Sequence, residues 1–211
     1  MYLGLQQQKE RMIDFMKKTK MAKLIGLVLV MALVLCVSAL PAFATPTTSV
    51  DIYFQVGNGE PDYQYTVTPT AGQSTYIYSS KKCTGNDYYY YEAYGQPLLP
   101  IIDDVLADNE RDENDVTDIE FIGNDGYDTD DYGTVTYDDL DTGLYFAYGS
   151  SVGVGVAPIL ATSYRSKTND GAWGSWSSSS CIRNFHGQQA KTNATMEMWV
   201  KYLDEIVIKV S

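Results

Sequence analysis

VTDIEFIGNDGYDTDDYGTVTYDDL, residues 116–140, is the central segment of the predicted fold. Ile119 and Phe121 share one face of an extended chain, and the acidic residues between them lie on the other face. This alternation with a period of two predicts a half-buried strand. Residues 124–126 (NDG) predict a turn because they tolerate positive φ, and residues 134–137 (TVTY) predict a second strand. A helix is expected to start directly after it, so the stretch predicts a strand, turn, strand and helix start on which the other elements pack.

Strand patterns recur on both sides of this central stretch. They are found at residues 49–56, 63–67, 74–78, 88–91, 196–200 and 205–210. Residues 158–161 (PILA) are expected to enter the core, whereas residues 94–97 (YGQP) predict a turn. Residues 163–180 are polar and rich in serine, which predicts a long surface loop.

One amphipathic helix is predicted around Pro100, which suits the first helical turn. Ile102, Val105 and Leu106 lie on its apolar face, and aspartates lie on the opposite face. Strands therefore predominate, and no alternating βαβ pattern is present. We predict an α+β class, in the form of a compact, mixed, sheet-rich domain.

The N-terminal 44 residues predict a signal peptide. A lysine-rich segment (residues 17–23), an apolar run (residues 24–40) and the small-x-small motif Ala42-Phe43-Ala44 follow in the order of such leaders. A membrane anchor is the alternative, and it needs about 20 apolar residues. We predict cleavage after Ala44, with Met16 as a natural start of translation, and one domain over residues 45–211. The protein is then secreted or held at the extracellular face of the cell envelope, without membrane insertion after cleavage.

The charge balance is strongly acidic. The chain has a formal net charge of −12, and residues 1–44 carry six basic and two acidic residues, so residues 45–211 carry nine basic and 25 acidic residues, a net charge of −16. Such a charge repels nucleic acids and anionic membranes, which excludes them as expected partners. The acidic run Asp125, Asp128, Asp130 and Asp131 offers calcium ligands but lacks the EF-hand spacing, so solvated loops are expected.

Two cysteines remain after the predicted cleavage, Cys83 and Cys181. An exported chain can form disulfides, so one bridge between these two residues is one interpretation. Two buried free thiols are the other interpretation, and the sequence leaves both open.

Four spaced pieces of the chain resemble the oxidoreductase molybdopterin-binding domain, which has the fold of sulfite oxidase, and especially its exported relatives in Gram-positive bacteria. The pieces are residues 94–99 (YGQPLL), residues 125–127 (DGY) ahead of 136–140 (TYDDL), residues 156–161 (VAPILA), and residues 183–188 (RNFHGQ) ahead of 199–203 (WVKYL). The resemblance spans about residues 75 to 210. It implies a compact, mixed α+β domain.

In catalytic members of that family a cysteine thiolate binds molybdenum, and Cys83 in the motif CTGN stands in a similar place. The resemblance therefore implies a molybdenum-molybdopterin oxidoreductase as one alternative. Those enzymes hold the cofactor with several cationic side chains, whereas residues 45–211 contain three arginines and one histidine. The leader also lacks an arginine pair, so export as an unfolded chain without a cofactor is expected. These features favour a domain with no cofactor and no catalytic residues.

Two groups of side chains are candidates for binding. Cys83, Arg183 and His186 are candidates for lining a pocket, with an ordinary strand end as the alternative for the last two. Trp173 and Trp176 are candidates for stacking on a ligand, since a solvated loop has no structural need for them.

Three functions follow from these candidates: a non-catalytic binding or surface module, a molybdenum oxidoreductase that uses Cys83, and a carbohydrate-binding module. The expected partner is a small ligand or a component of the cell wall or surface.

Overall fold

Two four-stranded sheets and a two-stranded hairpin carry most of the computed structural model. It describes residues 47–70, 75–82, 86–177, 181–193 and 195–211. The predicted signal peptide and Cys83 lie outside the described residues. The elements, in chain order, are β1 (Val50–Val56), β2 (Asp62–Val67), β3 (Thr75–Lys81), β4 (Tyr88–Pro97), α1 (Leu99–Asp108), β5 (Val116–Gly123), α2 (Tyr137–Asp141), β6 (Leu144–Phe146), β7 (Gly153–Gly155), β8 (Ile159–Thr168), β9 (Arg183–Phe185) and β10 (Leu203–Val210).

The first sheet has the strand order β2-β1-β10-β5. Its two middle strands, β1 and β10, run parallel with Ile52 opposite Ile206, and the outer strands pair antiparallel to them. The inward side chains of Ile52, Phe121 and Ile206 are fully buried. The period-two pattern of the central stretch therefore correctly predicted the buried face of β5.

Helix α1 covers this core. It starts after Leu98, with Pro100 in its first turn, where a missing backbone N–H is tolerated. Its apolar face buries Ile102, Val105 and Leu106 among the side chains of the first sheet. The predicted amphipathic helix is confirmed. None of the helices within the described ranges is long and apolar enough to cross a membrane.

The second sheet has the strand order β3-β4-β8-β9, and all its pairs are antiparallel. One of its faces packs around Tyr78, Phe185 and Trp199, which form a smaller aromatic core. Strands β6 and β7 form the separate hairpin. The domain is sheet-rich, with two short helices and three sheets, one of them curled into a half-barrel. This architecture confirms the predicted mixture of strands and helix.

The strand predicted at residues 134–137 is wrong. Residues 134–136 are irregular, and α2 begins at Tyr137. The Thr136 hydroxyl accepts a hydrogen bond from the Asp139 backbone N–H (3.2 Å), and the Asp139 carboxylate accepts one from the Thr136 backbone N–H (2.9 Å). This capping box satisfies backbone donors at a helix start, which explains why the β-branched residues do not extend into a strand.

Three further predictions are wrong, because tertiary pairing overrides local composition. Residues 94–97 are not a turn but the end of β4, where Gly95 allows the backbone to approach Leu160 at a shift in register. The predicted loop at residues 163–180 begins instead as strand, since β8 extends to Thr168. The predicted strand at residues 196–200 is largely a 3-10 helix over Thr195–Met198.

Candidate functional site

Arg183 and His186, the two described members of the predicted pocket, do not combine into one site. Strand β9 ends at Phe185, and alternation along the strand directs Arg183 and His186 to opposite sides of it. Arg183 is half-buried in the aromatic core, whereas His186 is buried near Asp139 of α2. The sequence placed them near each other along the chain, but the fold separates their side chains.

The Arg183 guanidinium is engaged by the protein itself. Its Nε and Nη2 donate hydrogen bonds to the Trp199 carbonyl oxygen, at 3.2 and 3.1 Å. Its Cζ lies 5.3 Å from the ring centre of Tyr91, 5.5 Å from Tyr164 and 5.3 Å from Phe185. These are cation–π distances, so the charge stabilises the aromatic core. An anionic cofactor would have to displace these contacts, which is a poor fit for a cofactor-binding arginine.

His186 is a neutral, structural residue. It is only 4% exposed, and its Nδ1 lies 3.1 Å from the Gly187 carbonyl oxygen. Since a carbonyl only accepts, Nδ1 carries the proton and Nε2 is the bare nitrogen. Nε2 is buried and has no hydrogen-bond partner within the part of the chain that the structure describes. Burial lowers the pKa of His186 to about 4, so it holds no positive charge for a phosphate.

We expect the His186 imidazole to stay neutral down to about pH 5 in the folded protein. Its folded pKa is below the ordinary value of 6.5, so the unfolded chain takes up the proton first. Stability is therefore lost as the pH falls from about 6.5 towards 4, by up to about 3 kcal/mol. The chain has one histidine, so its ring signal in proton NMR is unambiguous. The same signal in denaturant is the control, and a midpoint near 6.5 in the folded protein would contradict the buried assignment.

The predicted pairing of the cysteines is only half described. Cys181 is 8% exposed and carries a free thiol, and it precedes the buried Ile182. Cys83 lies outside the described residues. The alternatives of a disulfide or two inaccessible thiols remain predictions, as does the assignment of Cys83 as a metal ligand.

One member of the acidic run considered for calcium, Asp130, pairs with a lysine that also contacts two carboxylates of β5. The Lys209 ammonium lies 3.3 Å from the Asp118 carboxylate, 3.0 Å from Glu120 and 3.2 Å from Asp130. Burial, reinforced by a hydrogen bond with Asp128, raises the pKa of Glu120 to about 7. Over the described ranges, no group of three or more His, Cys, Asp or Glu side chains is arranged to hold a metal ion.

Residues 169–177 return along β8 and bring the two candidate tryptophans onto the second sheet. The backbone N–H of Gly174 donates to the Ser166 carbonyl (2.9 Å), and that of Ser177 donates to the Tyr164 carbonyl (2.7 Å). The Ser177 hydroxyl in turn accepts from the Tyr164 N–H (3.0 Å). This return segment is therefore held by backbone hydrogen bonds, and its tryptophans have fixed neighbours.

Trp173 and Trp176 form, with strands β4 and β8, what we call the aromatic face. It comprises Tyr90, Glu92, Tyr94, Arg165, Lys167, Trp173 and Trp176. The rings of Tyr94 and Trp176 are 4.7 Å apart at a tilt of 31°, and Trp176 is 36% exposed. Arg165 Cζ lies 4.8 Å from the Trp176 ring centre and 5.4 Å from that of Trp173.

The two cations of the aromatic face differ in their pairing. Arg165 forms a short ion pair with Glu92, directly across the β4–β8 ladder. Lys167 Nζ lies 4.9 Å from the Trp173 ring centre and 5.6 Å from that of Tyr90. No carboxylate of the described residues lies within ion-pair distance of Lys167. On the aromatic face, Arg165 is therefore neutralised by a carboxylate, whereas Lys167 has no carboxylate partner among the described residues.

The sequence interpretation found the tryptophans but missed Arg165, Lys167 and Tyr94. A usable signal was present, since Arg165 and Lys167 are two residues apart and therefore share one face if the chain is extended. Because residues 163–180 were predicted to be a loop, the two side chains were not expected to share a face. Comparison with family models, curated proteins and solved structures finds no match to this chain.

Proposed function

We propose that this chain is an exported, non-catalytic binding module, secreted or held at the extracellular face of the cell envelope. The observation that carries the proposal is the aromatic face, where two tryptophans and a tyrosine are fixed on a sheet and remain partly open to solvent. Rigid aromatic side chains bind ligands with little loss of conformational entropy. The partner is a component of the cell wall or surface, or a small ligand.

The contacts of Arg183 and His186 support a non-catalytic role. The charge of Arg183 is used by the Trp199 carbonyl and three rings, and His186 is neutral and buried. Neither offers a free cation to an anionic pterin cofactor, and a doubly charged phosphate without such partners is costly to bury. A molybdenum oxidoreductase with Cys83 as the ligand is the alternative function.

We also propose that the fold is of the sulfite oxidase type. Three of the four resembling pieces meet in space, which supports the proposal. Gly95 pairs with Ala161, Ala161 pairs with Arg183, and Arg183 forms a bridge with Lys201. Pieces that are far apart in sequence therefore lie side by side in the second sheet and at its edge.

Carbohydrate is the ligand class that the aromatic face favours. The tilted pair of Tyr94 and Trp176 presents apolar ring surface beside polar groups, which suits a sugar ring with its apolar face and hydroxyl edge. Stacking on Trp176 is therefore the central contact of the proposed function.

The test is a glycan array probed with the protein and with Trp173→Ala and Trp176→Ala. We expect both variants to lose binding at least tenfold. Tyr63→Ala is the matched control, since Tyr63 is a 56% exposed aromatic residue on the edge strand of the other sheet. Equal binding by all variants would contradict the proposal that the aromatic face binds the ligand. Stoichiometric molybdenum in protein purified from its native host would favour the alternative.

A further inference from the structure

We infer that the ligand of the aromatic face is an anionic polysaccharide, whose sugar rings stack on Trp176 while its acidic groups pair with Lys167. The inference rests on the proposed binding function and adds the charge of the ligand.

Positive charge is concentrated on the aromatic rings of the second sheet. Each tyrosine of the run at residues 88–91 has a cation within 5.8 Å of its ring centre. The cations that stack on rings of this sheet or of the return segment are Lys82, Arg165, Lys167, Arg183 and Lys191. These are five of the nine basic residues within residues 45–211. More than half of the basic residues within residues 45–211 therefore lie against the rings of this sheet or of the return segment, which makes it the favoured side for an approaching anion.

Lys167 is the cation that is open to a ligand. Arg165 is neutralised by Glu92, and Lys82 lies 3.9 Å from the Asp87 carboxylate. Lys167 instead rests between the rings of Trp173 and Tyr90 without a carboxylate partner in the described residues. Its ammonium group makes no hydrogen bond to a described residue, so its N–H donors are available to an incoming anion.

An exposed aromatic pair on the first sheet shows that this charge is specific to the aromatic face. Tyr53 and Tyr63 lie 5.8 Å apart in an edge-to-face arrangement. Burial raises the pKa of Tyr53, and the nearby carboxylates of Glu205 and Asp51 raise it further. The charges close to this pair are therefore negative. Of these two aromatic surfaces, the one with tryptophans is the one with cations.

A polysaccharide fits this face better than a nucleic acid does. Double-stranded DNA carries one charge per about 1.7 Å of its length, which a protein of net charge −12 repels strongly. A sugar chain with one acidic group per residue has a lower charge density. It also supplies the ring faces that Trp176 and Tyr94 can stack on. Carboxylate and phosphodiester groups both pair with an ammonium, so the experiment separates these two sources of charge.

The experiment measures the affinity of the protein for four polymers by calorimetry. They are polygalacturonate, its methyl-esterified neutral form, a phosphodiester-linked sugar polymer, and single-stranded oligothymidylate. We expect the better of the two acidic sugar polymers to bind about tenfold more tightly than the neutral ester. We expect the binding of this acidic polymer to weaken between about 50 and 200 mM salt, and the binding of the neutral ester to stay the same.

Lys167→Gln is the decisive variant, with Lys201→Gln as its control on a cation outside the aromatic face. We expect Lys167→Gln to reduce binding of the acidic polymer to the level of the ester, and Lys201→Gln to change nothing. Trp176→Ala should lose both polymers. Unchanged acidic binding by Lys167→Gln, or tighter binding of oligothymidylate than of either acidic sugar polymer, would overturn the inference. If the ester binds through Trp176 as tightly as the acidic polymers do, the inference fails but the proposed function stands. If no polymer binds, the inference fails, and the glycan array decides the proposed function.

Discussion

Replacing Gly187 by alanine is expected to have the largest effect on folding of any single substitution considered. A β-carbon at this position would lie well inside 3.0 Å of the backbone of Gly143 and Leu144. Backbone atoms cannot rotate away as a side chain can. The clash falls where Leu144 and Gln188 exchange two backbone hydrogen bonds, of 2.9 and 2.8 Å. Overpacking and the loss of these bonds should cost about 3 kcal/mol or more, a large part of the stability of a domain.

Gly155→Ala is the matched control for this prediction. Gly155 pairs with Leu144 across the β6–β7 hairpin, but a β-carbon there would meet no atom within 4 Å. We expect this variant to unfold in urea at the wild-type midpoint or slightly above it, since alanine restricts the unfolded chain. Equal urea midpoints for the two variants would contradict the close contact between the backbones of residues 143 and 187.

Arg183→Met is expected to destabilise the protein by about 2–3 kcal/mol. The change keeps an apolar stem but removes both donors to the Trp199 carbonyl, which lies next to a buried indole. It also removes the cation from between three aromatic rings. Urea unfolding followed by tryptophan fluorescence measures the loss. Arg183→Lys should fall in between, because an ammonium keeps the charge but not the planar fork of donors.

Arg111→Met tests whether the effect is specific to Arg183. Arg111 lies 4.0 Å from Asp115, and both side chains are 34% exposed, so their ion pair contributes at most about 0.5 kcal/mol. If Arg183→Met were as mild as Arg111→Met, Arg183 would be dispensable for folding. Its presence would then have to be explained by a ligand, which would revive the cofactor-binding interpretation.

The elements that sequence predicted correctly are those with a clear period and a core on one side. Strand β5 alternates fully buried Ile119 and Phe121 with acidic neighbours. In β10, Ile206 and Ile208 share a buried face as predicted, although Val207 on the other face is buried as well. Helix α1 is marked by Pro100 and an apolar stripe. In each element the local pattern and the tertiary environment agree, so the pattern is sufficient.

The prediction failed where a contact between distant residues decides the structure. Lys167 meets Tyr90 across 77 positions of sequence, and composition along residues 163–180 contains no sign of that partner. The polar character of β8 beyond Ala161 predicted a loop, because its neighbours in the sheet were not foreseen. For the same reason the tryptophans were identified as candidates, but the cations that complete the aromatic face were not.

The parallel pairing of β1 with β10 has a consequence for the order of folding. The middle of the first sheet joins residues 50–56 to residues 203–210, so about 150 residues of chain must be looped before the two strands meet. Strands β1 and β5 do not touch each other and are joined only through β10. A high contact order of this kind slows folding, and a chain emerging from a ribosome or a membrane pore cannot complete the sheet until its last strand has emerged. The first sheet therefore cannot be completed before β10 is available, which would suit the proposed export as an unfolded chain.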